Sequence, residues 1–203
     1  MLGTDRPEST GLRERKKART RASIREHALR LIREQGYQAT TVEQIAAAAE
    51  VSPSTFFRYF PTKEDVVLQD DFDVRMFEAL ERQPPDVTPV AAIRAAMRES
   101  IATLTPAEWD QLRETAALQM TVPEIRARSL DELNRTLRVA VEVLAKRTGR
   151  ADDDLAVRVF TGAVFGVMIA VTMPYHENQV HMAADTFERV DEALALLEAG
   201  LPL

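Results

Sequence analysis

Residues 51–66 read VSPSTFFRYFPTKEDV and combine helix-capping residues with four closely spaced aromatic side chains. Ser52 is a favoured N-cap, and Pro53 suits the first helical position, where its missing N–H is not needed. Thr62 followed by Asp65 forms a capping-box pattern, which predicts the start of a second helix. The stretch therefore predicts a short helix from Pro53 and another helix from Thr62. Its aromatic residues must either pack in a core or recognise a partner.

The segment before this stretch supplies a partner helix. Thr40 or Thr41 is a candidate cap, with Glu43 or Gln44 to complete the capping box, and an apolar face follows at helical spacing as far as Ala49. Two brief helices joined by residues 50–52 have the length and layout of a helix-turn-helix. We expect one side of the second helix to pack inward through Val51, Phe56 and Phe60.

The opposite side of that helix is left for DNA. A recognition helix places its N-terminal residues at base edges in the major groove, where short hydroxyl side chains allow a close approach. Phe57 is a candidate for a thymine methyl, Arg58 for guanine or phosphate, and Tyr59 and Lys63 for phosphates. The cap of the preceding helix would aim free N–H groups at a phosphate. The candidate DNA contacts are Arg15, Lys16, Lys17, Arg19, Thr41, Ser52, Pro53, Ser54, Thr55, Phe57, Arg58, Tyr59 and Lys63.

The charge distribution agrees with a DNA-binding N-terminal part. The 203 residues carry a formal charge of -6, yet residues 1–62 hold eleven Lys/Arg against seven Asp/Glu. The densest basic run, RERKKARTR at 13–21, is a candidate arm and helix start that neutralises phosphates or enters the minor groove. A solvated helix face is the alternative for such a run.

The rest of the chain also has helical period. Proline after a capping or apolar residue marks further starts at Pro89, Pro106 and Pro123, Gly149 marks a stop, and no useful stretch alternates with period two. We therefore predict an all-α fold of about nine helices, with one long fourth helix from Thr62 to about Arg82. The predicted organisation is a disordered arm (1–12), a helix-turn-helix domain (13–62) and a second helical domain (63–203), for which the family resemblance given below implies ligand binding and dimerisation.

The sequence also indicates a cytoplasmic protein. It contains no cysteine, which suits a reducing compartment. Its N-terminus lacks the apolar region of a secretory signal, and the longest uncharged apolar run, residues 159–173, is shorter than a membrane span requires.

The N-terminal pattern resembles one known family. The residues that carry the resemblance are Thr40-Thr41-Val42-x-x-Ile45-Ala46-x-x-Ala49-x-Val51-Ser52-x-x-Thr55-Phe56-x-x-Tyr59-Phe60-x-x-Lys63-Glu64. They are similar to the signature of the TetR (tetracycline-repressor) family. The resemblance implies an all-helical homodimer with an N-terminal DNA-binding domain and a C-terminal domain that holds the dimer interface and a ligand pocket. Glu50, where the family commonly has Gly, and Phe57, where Tyr is usual, depart from the pattern.

Two late helices are candidates for the dimer interface. Small residues in the apolar run permit close helix approach, and the last helix repeats apolar residues at alternating spacings of three and four. Intramolecular core packing remains the alternative. The candidate interface residues are Gly162, Gly166, Phe187, Val190, Leu194 and Leu197.

A ligand pocket is predicted from adaptable apolar side chains in the acidic C-terminal part, with plain core as the alternative. The candidate lining residues are Phe72, Met76, Met97, Trp109, Met120, Phe165 and Met168. If a ligand binds there, the fourth helix is the expected lever between ligand and DNA.

No catalytic motif was found, and we predict no enzyme activity, cofactor or metal site. His176 and His181, near Glu177 and Asp185, match no tight metal-ligand spacing. The leading hypothesis is a homodimeric repressor that binds a palindromic double-stranded operator and is released by a small apolar or amphipathic inducer. The alternatives are a constitutive DNA-binding dimer and, distantly, a helical enzyme or metal-binding protein.

Overall fold

The computed structural model describes residues 8–69, 72–172 and 185–202, and those residues form helices without strands. The chain divides into two compact units, one up to Gln69 and one from Asp70 onward. The helices are α1 (Glu8–Gln35), α2 (Val42–Ala48), α3 (Pro53–Tyr59), α4 (Lys63–Leu68), α5 (Phe72–Arg82), α6 (Pro89–Ala102), α7 (Pro106–Thr121), α8 (Pro123–Thr148), α9 (Leu155–Thr172) and α10 (Thr186–Glu198). The all-α prediction is confirmed.

Capping residues set the helix starts of the N-terminal unit. Thr41 accepts a hydrogen bond from the N–H of Gln44, whose side chain accepts one from the N–H of Thr41. Ser52 caps α3 in the same way through the N–H of Thr55, with Pro53 at the first position. Thr62 and Asp65 form the predicted capping box at α4. These local signals were all readable from the sequence.

Aromatic side chains fill the core of the N-terminal unit. Phe56 and Phe60 are fully buried, with ring centroids 5.9 Å apart. Ile24 of α1 and Ile45 of α2 are buried in the same unit. The prediction that Phe56 and Phe60 face the core is therefore correct. Their burial fixes the orientation of α3 within the N-terminal unit.

Two sequence expectations need correction. Helix α1 begins at Glu8, so residues 8–12 are helical rather than part of a disordered arm; strong helix formers follow, and an acidic residue suits an N-terminal turn. The single helix expected over 62–82 is instead α4 and α5. Gln69 leaves the helical conformation (φ -90°, ψ 97°), although nothing in the capping pattern marks that break.

The C-terminal unit is built around α6. Ala92, Ile93, Ala96 and Met97 of this helix lie in one buried apolar cluster with residues of α5 and α8–α10. Arg94 joins α6 to α10 because its Nε and Nη2 each donate a 2.9 Å hydrogen bond to the Asp191 carboxylate. This ion pair raises the pKa of Arg94 and lowers that of Asp191.

Helix α9 has two different faces. Val157, Thr161 and Val164 are buried, whereas Leu155 and Val159 are 75% and 62% exposed. Gly162 and Gly166 continue the exposed stripe at the spacing 4,3,4. By length and composition α9 is the one described helix apolar enough to cross a membrane, with mean hydropathy 2.0. The core helix of a soluble protein meets the same criteria of length and composition. The exposed apolar stripe is also suited to contact with another protein surface.

Candidate nucleic-acid interface

The exposed face of α3 carries the predicted base-reading side chains. Ser54, Phe57 and Arg58 are exposed at positions i, i+3 and i+4, on the side opposite the buried Phe56. Phe57 is 50% exposed, and its ring packs edge-to-face against the ring of Phe56 at a centroid distance of 5.5 Å. An apolar ring, a hydroxyl and a guanidinium therefore share one accessible surface.

Hydroxyl groups cluster at the beginning of α3. The Oγ of Ser52 lies 2.8 Å from the Oγ of Ser54 and 2.9 Å from Oγ1 of Thr55. Thr55 is half-buried, whereas Ser52, Pro53 and Ser54 are exposed. Short side chains thus cover the N-terminal turn and leave its backbone accessible, as a close approach to a groove requires.

The turn between α2 and α3 has a left-handed residue that is not glycine. Glu50 adopts φ 54°, and the N–H groups of Glu50 and Val51 donate to the carbonyls of Ala47 and Ala46. This is the conformation that made Gly the expected residue at this position. The departure noted in the sequence is therefore accommodated, with a carboxylate exposed beside α3.

Lys63 has a different setting from the one predicted. Its Nζ donates 3.0 Å hydrogen bonds to the carbonyls of Tyr37 and Thr40, and it lies 3.9 Å from the centroid of the Tyr37 ring. Two of three ammonium donors are thus used to hold the start of α4 to the loop after α1. Lys63 is therefore a positioning residue for α4, and its assignment to a phosphate contact stays a prediction.

Tyr37 and Glu64 complete this junction; the sequence analysis missed Tyr37 and quoted Glu64 only as part of the family signature. The Tyr37 hydroxyl donates to the Glu64 carboxylate. Burial acts to raise the pKa of Glu64, but this hydrogen bond, with smaller contributions, lowers the pKa below its usual value. A buried tyrosine is not distinctive in sequence, so no local signal marked the pair.

The basic run lies on α1. Arg15, Lys16, Lys17 and Arg19 are all exposed. The nearby Arg21 is instead turned inward, with its guanidinium 4.9 Å from the centroid of Phe60 and Nη2 donating to the Gln69 carbonyl. The exposed charges therefore form a basic surface on a helix, which agrees with the predicted helix start rather than with a flexible arm.

In the C-terminal unit the predicted pocket residues do not share one setting. Met97 is buried in the core, and Met76 and Met168 pack against that core. Phe72 and Trp109 both contact Phe187, at centroid distances of 5.8 and 5.3 Å. Met120 and Phe165 are half-buried. The aromatic contacts bring together α5, α7 and α10.

The predicted dimer-interface residues fall into an exposed group on α9 and a group on α10 that belongs to the core. Gly162 and Gly166 are exposed, and no non-neighbouring atom lies within 4 Å of the position that a Cβ would occupy. Val190 and Leu194 are 3% and 0% exposed and Leu197 and Phe187 pack against the same core. The assignment of Val190 and Leu194 to an interface is therefore corrected, because both are core residues of their own unit.

The weak histidine pair cannot be placed, since His176 and His181 lie outside the described residues. Within the ranges that the structure describes, no group of three or more potential metal-ligating side chains occurs.

Comparisons with known proteins agree with this architecture. Residues 24–69 match the family model described as bacterial regulatory proteins, tetR family, and residues 87–202 match the model described as MftR C-terminal domain. The chain is 38% identical over 190 residues to the HTH-type transcriptional regulator TcmR of Streptomyces glaucescens, covering 89% of this chain and 81% of that protein. The chain therefore belongs to the TetR family of helix-turn-helix regulators. It is a DNA-binding transcriptional regulator and not an enzyme.

More distant relatives extend the comparison. The chain is 25% identical over 184 residues to the fatty acid metabolism regulator protein of Bacillus subtilis, covering 86% of this chain and 91% of that protein. The structure of Thermus thermophilus FadR, a TetR-family repressor in complex with lauroyl-CoA, matches with TM-score 0.55 and 26% identity. That match covers 90% of this chain and 95% of FadR. A TetR-family regulator from Syntrophomonas wolfei shares the fold with TM-score 0.61, 18% identity and coverage of 92% and 98%.

Proposed function

We propose that this protein is a cytoplasmic repressor that binds a palindromic operator as a homodimer and leaves it when a small apolar or amphipathic ligand binds. The observation that carries the DNA part is the α3 surface, where Ser54, Phe57 and Arg58 are exposed together above a fully buried Phe56. A helix held in this way has the form that enters a major groove.

The exposed stripe of α9 supports the homodimer. Leu155, Val159, Gly162 and Gly166 form a continuous apolar and small-residue seam, which allows two helices to approach closely. A two-fold pair of chains would present two copies of α3, and their separation would have to match about 34–36 Å along the DNA. The operator should accordingly be a palindrome.

Release by a ligand is supported by a relative. The FadR structure, at 26% identity, contains lauroyl-CoA, and FadR is described as a repressor. We propose that a ligand in the C-terminal unit favours a dimer whose two α3 helices no longer match one turn of DNA. This requires the ligand to bind that state more tightly than the DNA-bound state.

The proposal is tested by a gel shift with DNA flanking the protein's own coding sequence, at several salt concentrations and with excess competitor. We expect palindrome-dependent binding that falls steeply as salt rises. Compounds that raise the melting temperature in a thermal-shift screen should then release the DNA. Absence of binding to any DNA at low salt would overturn the assignment of α3, and a bound compound that leaves operator affinity unchanged would overturn the coupling.

Replacing Arg58 by Ala should weaken operator binding by roughly tenfold to a hundredfold, the range for one base or phosphate contact of an arginine. Arg58 is exposed, so thermal stability should change little. Fluorescence anisotropy with labelled operator measures the affinity. Arg30→Ala is a matched control, because Arg30 is an exposed arginine that pairs with Glu34 elsewhere on the unit. Equal effects of the two substitutions would contradict the role of Arg58.

Replacing Arg15, Lys16, Lys17 and Arg19 together by Gln should reduce the salt dependence of DNA binding. Each lost phosphate contact lowers the slope of log affinity against log salt by about 0.9. Because the four side chains are exposed on α1, the helix should persist, as circular dichroism would show. An unchanged slope would mean that this face is only solvated.

A further inference from the structure

Three aromatic rings meet where α5, α7 and α10 come together. Phe187 is tilted against Phe72 and edge-on to Trp109. All three side chains are half-buried rather than enclosed. Aromatic rings in such an arrangement offer faces and edges to a further ring, which adds to ordinary apolar burial.

A charged pair lies beside these rings. Arg75 follows Phe72 by three residues on the same face of α5, and Glu108 directly precedes Trp109 on α7. Nη1 of Arg75 donates a 2.6 Å hydrogen bond to Oε1 of Glu108. Glu108 also accepts from the N–H and hydroxyl of Thr105. The arginine and the Thr105 cap together lower the pKa of Glu108 to about 2, so it remains ionised and holds Arg75 beside the rings.

Arg75 has binding capacity that this pair does not use. Its Nε is buried and has no hydrogen-bond partner in the described part of the chain. The Arg75 side chain as a whole is 35% exposed, so the residue lies near the surface although Nε itself is covered. A buried donor without a partner is energetically costly, so an acceptor at this position would be favourable.

Arg94, in the same unit, shows what the edge formed by Nε and Nη2 of an arginine can bind. Its Nε and Nη2 donate hydrogen bonds to the two oxygens of the Asp191 carboxylate. In Arg75 the bond to Glu108 comes from Nη1, on the other side of the guanidinium, so the Nε edge faces away from that partner. A carboxylate that reached this edge, after a shift of the atoms that cover Nε, would leave the hydrogen bond from Nη1 to Glu108 in place.

We propose that the Arg75 edge and the ring cluster of Phe72, Trp109 and Phe187 bind an aromatic carboxylate. The rings contact the aromatic part, the Nε edge of Arg75 binds the carboxylate, and Glu108 positions Arg75. This inference names a ligand class and rests on the proposed function, in which the C-terminal unit binds the effector. It concerns binding alone and is therefore separable from DNA release.

Trp109 gives a direct readout because the chain has one tryptophan. The full-length protein labelled with 5-fluorotryptophan should show one ¹⁹F resonance, whose shift can be followed during titration. The probes are 2-naphthoate, its neutral analogue 2-naphthalenemethanol, and dodecanoate. We expect 2-naphthoate to bind about tenfold or more tightly than either of the others, since the charged hydrogen bonds and the ring contacts must both be made.

Arg75→Lys keeps the charge and can still pair with Glu108, but it lacks the two-donor edge. We expect this variant to bind 2-naphthoate about as weakly as 2-naphthalenemethanol, with an unchanged melting temperature. Arg82→Lys is the control on the same helix, where the arginine pairs with Glu99 on the surface and the preference should persist.

Equal affinity for the acid and the alcohol would overturn the proposal, as would an acid preference that survives Arg75→Lys. Equal affinity for dodecanoate would overturn the aromatic class, and no binding by any probe would overturn the site. If 2-naphthoate binds as expected but leaves operator affinity unchanged, the site stands and ligand-controlled release fails. If another compound releases DNA while 2-naphthoate does not bind, the site fails and the proposed function stands.

Discussion

Phe56→Ala should unfold or severely destabilise the DNA-binding unit, at a cost of about 3–5 kcal/mol. Phe56 is completely buried, and its ring supports both Phe57 and Phe60. Its removal deletes apolar contacts and leaves a cavity in a unit with a small core. Urea denaturation of the full-length protein, followed by circular dichroism, should show a transition at lower urea concentration, and operator binding should be lost with it.

The neighbouring residue provides the control for this experiment. Phe57 has the same chemistry but is 50% exposed on the other side of α3. Phe57→Ala should leave the free energy of unfolding within about 1 kcal/mol of the parent while weakening operator binding. If both substitutions destabilise equally, Phe57 is a core residue and its assignment to the DNA face is wrong.

Val159→Asp should convert the proposed homodimer into a monomer. Val159 is 62% exposed within one chain and lies in the middle of the exposed stripe of α9, so the carboxylate should not disturb its own unit. In a two-fold interface the substitution occurs twice and buries two unpaired charges close together. We expect the dimer dissociation constant to rise by at least about a hundredfold.

Light scattering after size-exclusion chromatography, at micromolar concentration, measures this change directly. Operator affinity should fall as well, because a monomer contacts one half-site only. Leu130→Asp is the matched control: Leu130 is similarly exposed, at 63%, but lies on α8 rather than in the α9 stripe. A dimer that persists in Val159→Asp and dissociates in Leu130→Asp would place the interface elsewhere.

Local signals made much of this fold predictable. The caps at Thr41, Ser52 and Thr62 act within three residues, so their patterns alone fix where α2, α3 and α4 begin. The outward position of Phe57 and the inward position of Phe56 followed from helical period. The left-handed conformation of Glu50 agrees with the family resemblance, which commonly has Gly at this position.

Tertiary contacts were not predictable in the same way. An apolar seam such as that of α10 has the same spacing whether it meets its own chain or a second copy, which is why Val190 and Leu194 were assigned to an interface. Lys63 was assigned to phosphate because its partners, the carbonyls of Tyr37 and Thr40, lie more than twenty residues away along the chain. Long-range partners leave no periodic pattern in one sequence.

The exposed stripe of α9 has a consequence for the amount of this protein in a cell. If the proposed homodimer covers the stripe, a freshly made chain exposes Leu155 and Val159 until it pairs, and exposed apolar residues attract chaperones, proteases and other unfolded chains. Pairing between copies depends on their concentration, so scarce copies stay uncovered for longer. Turnover should therefore be fastest when synthesis is lowest, which would sharpen the difference between the presence and the absence of the regulator.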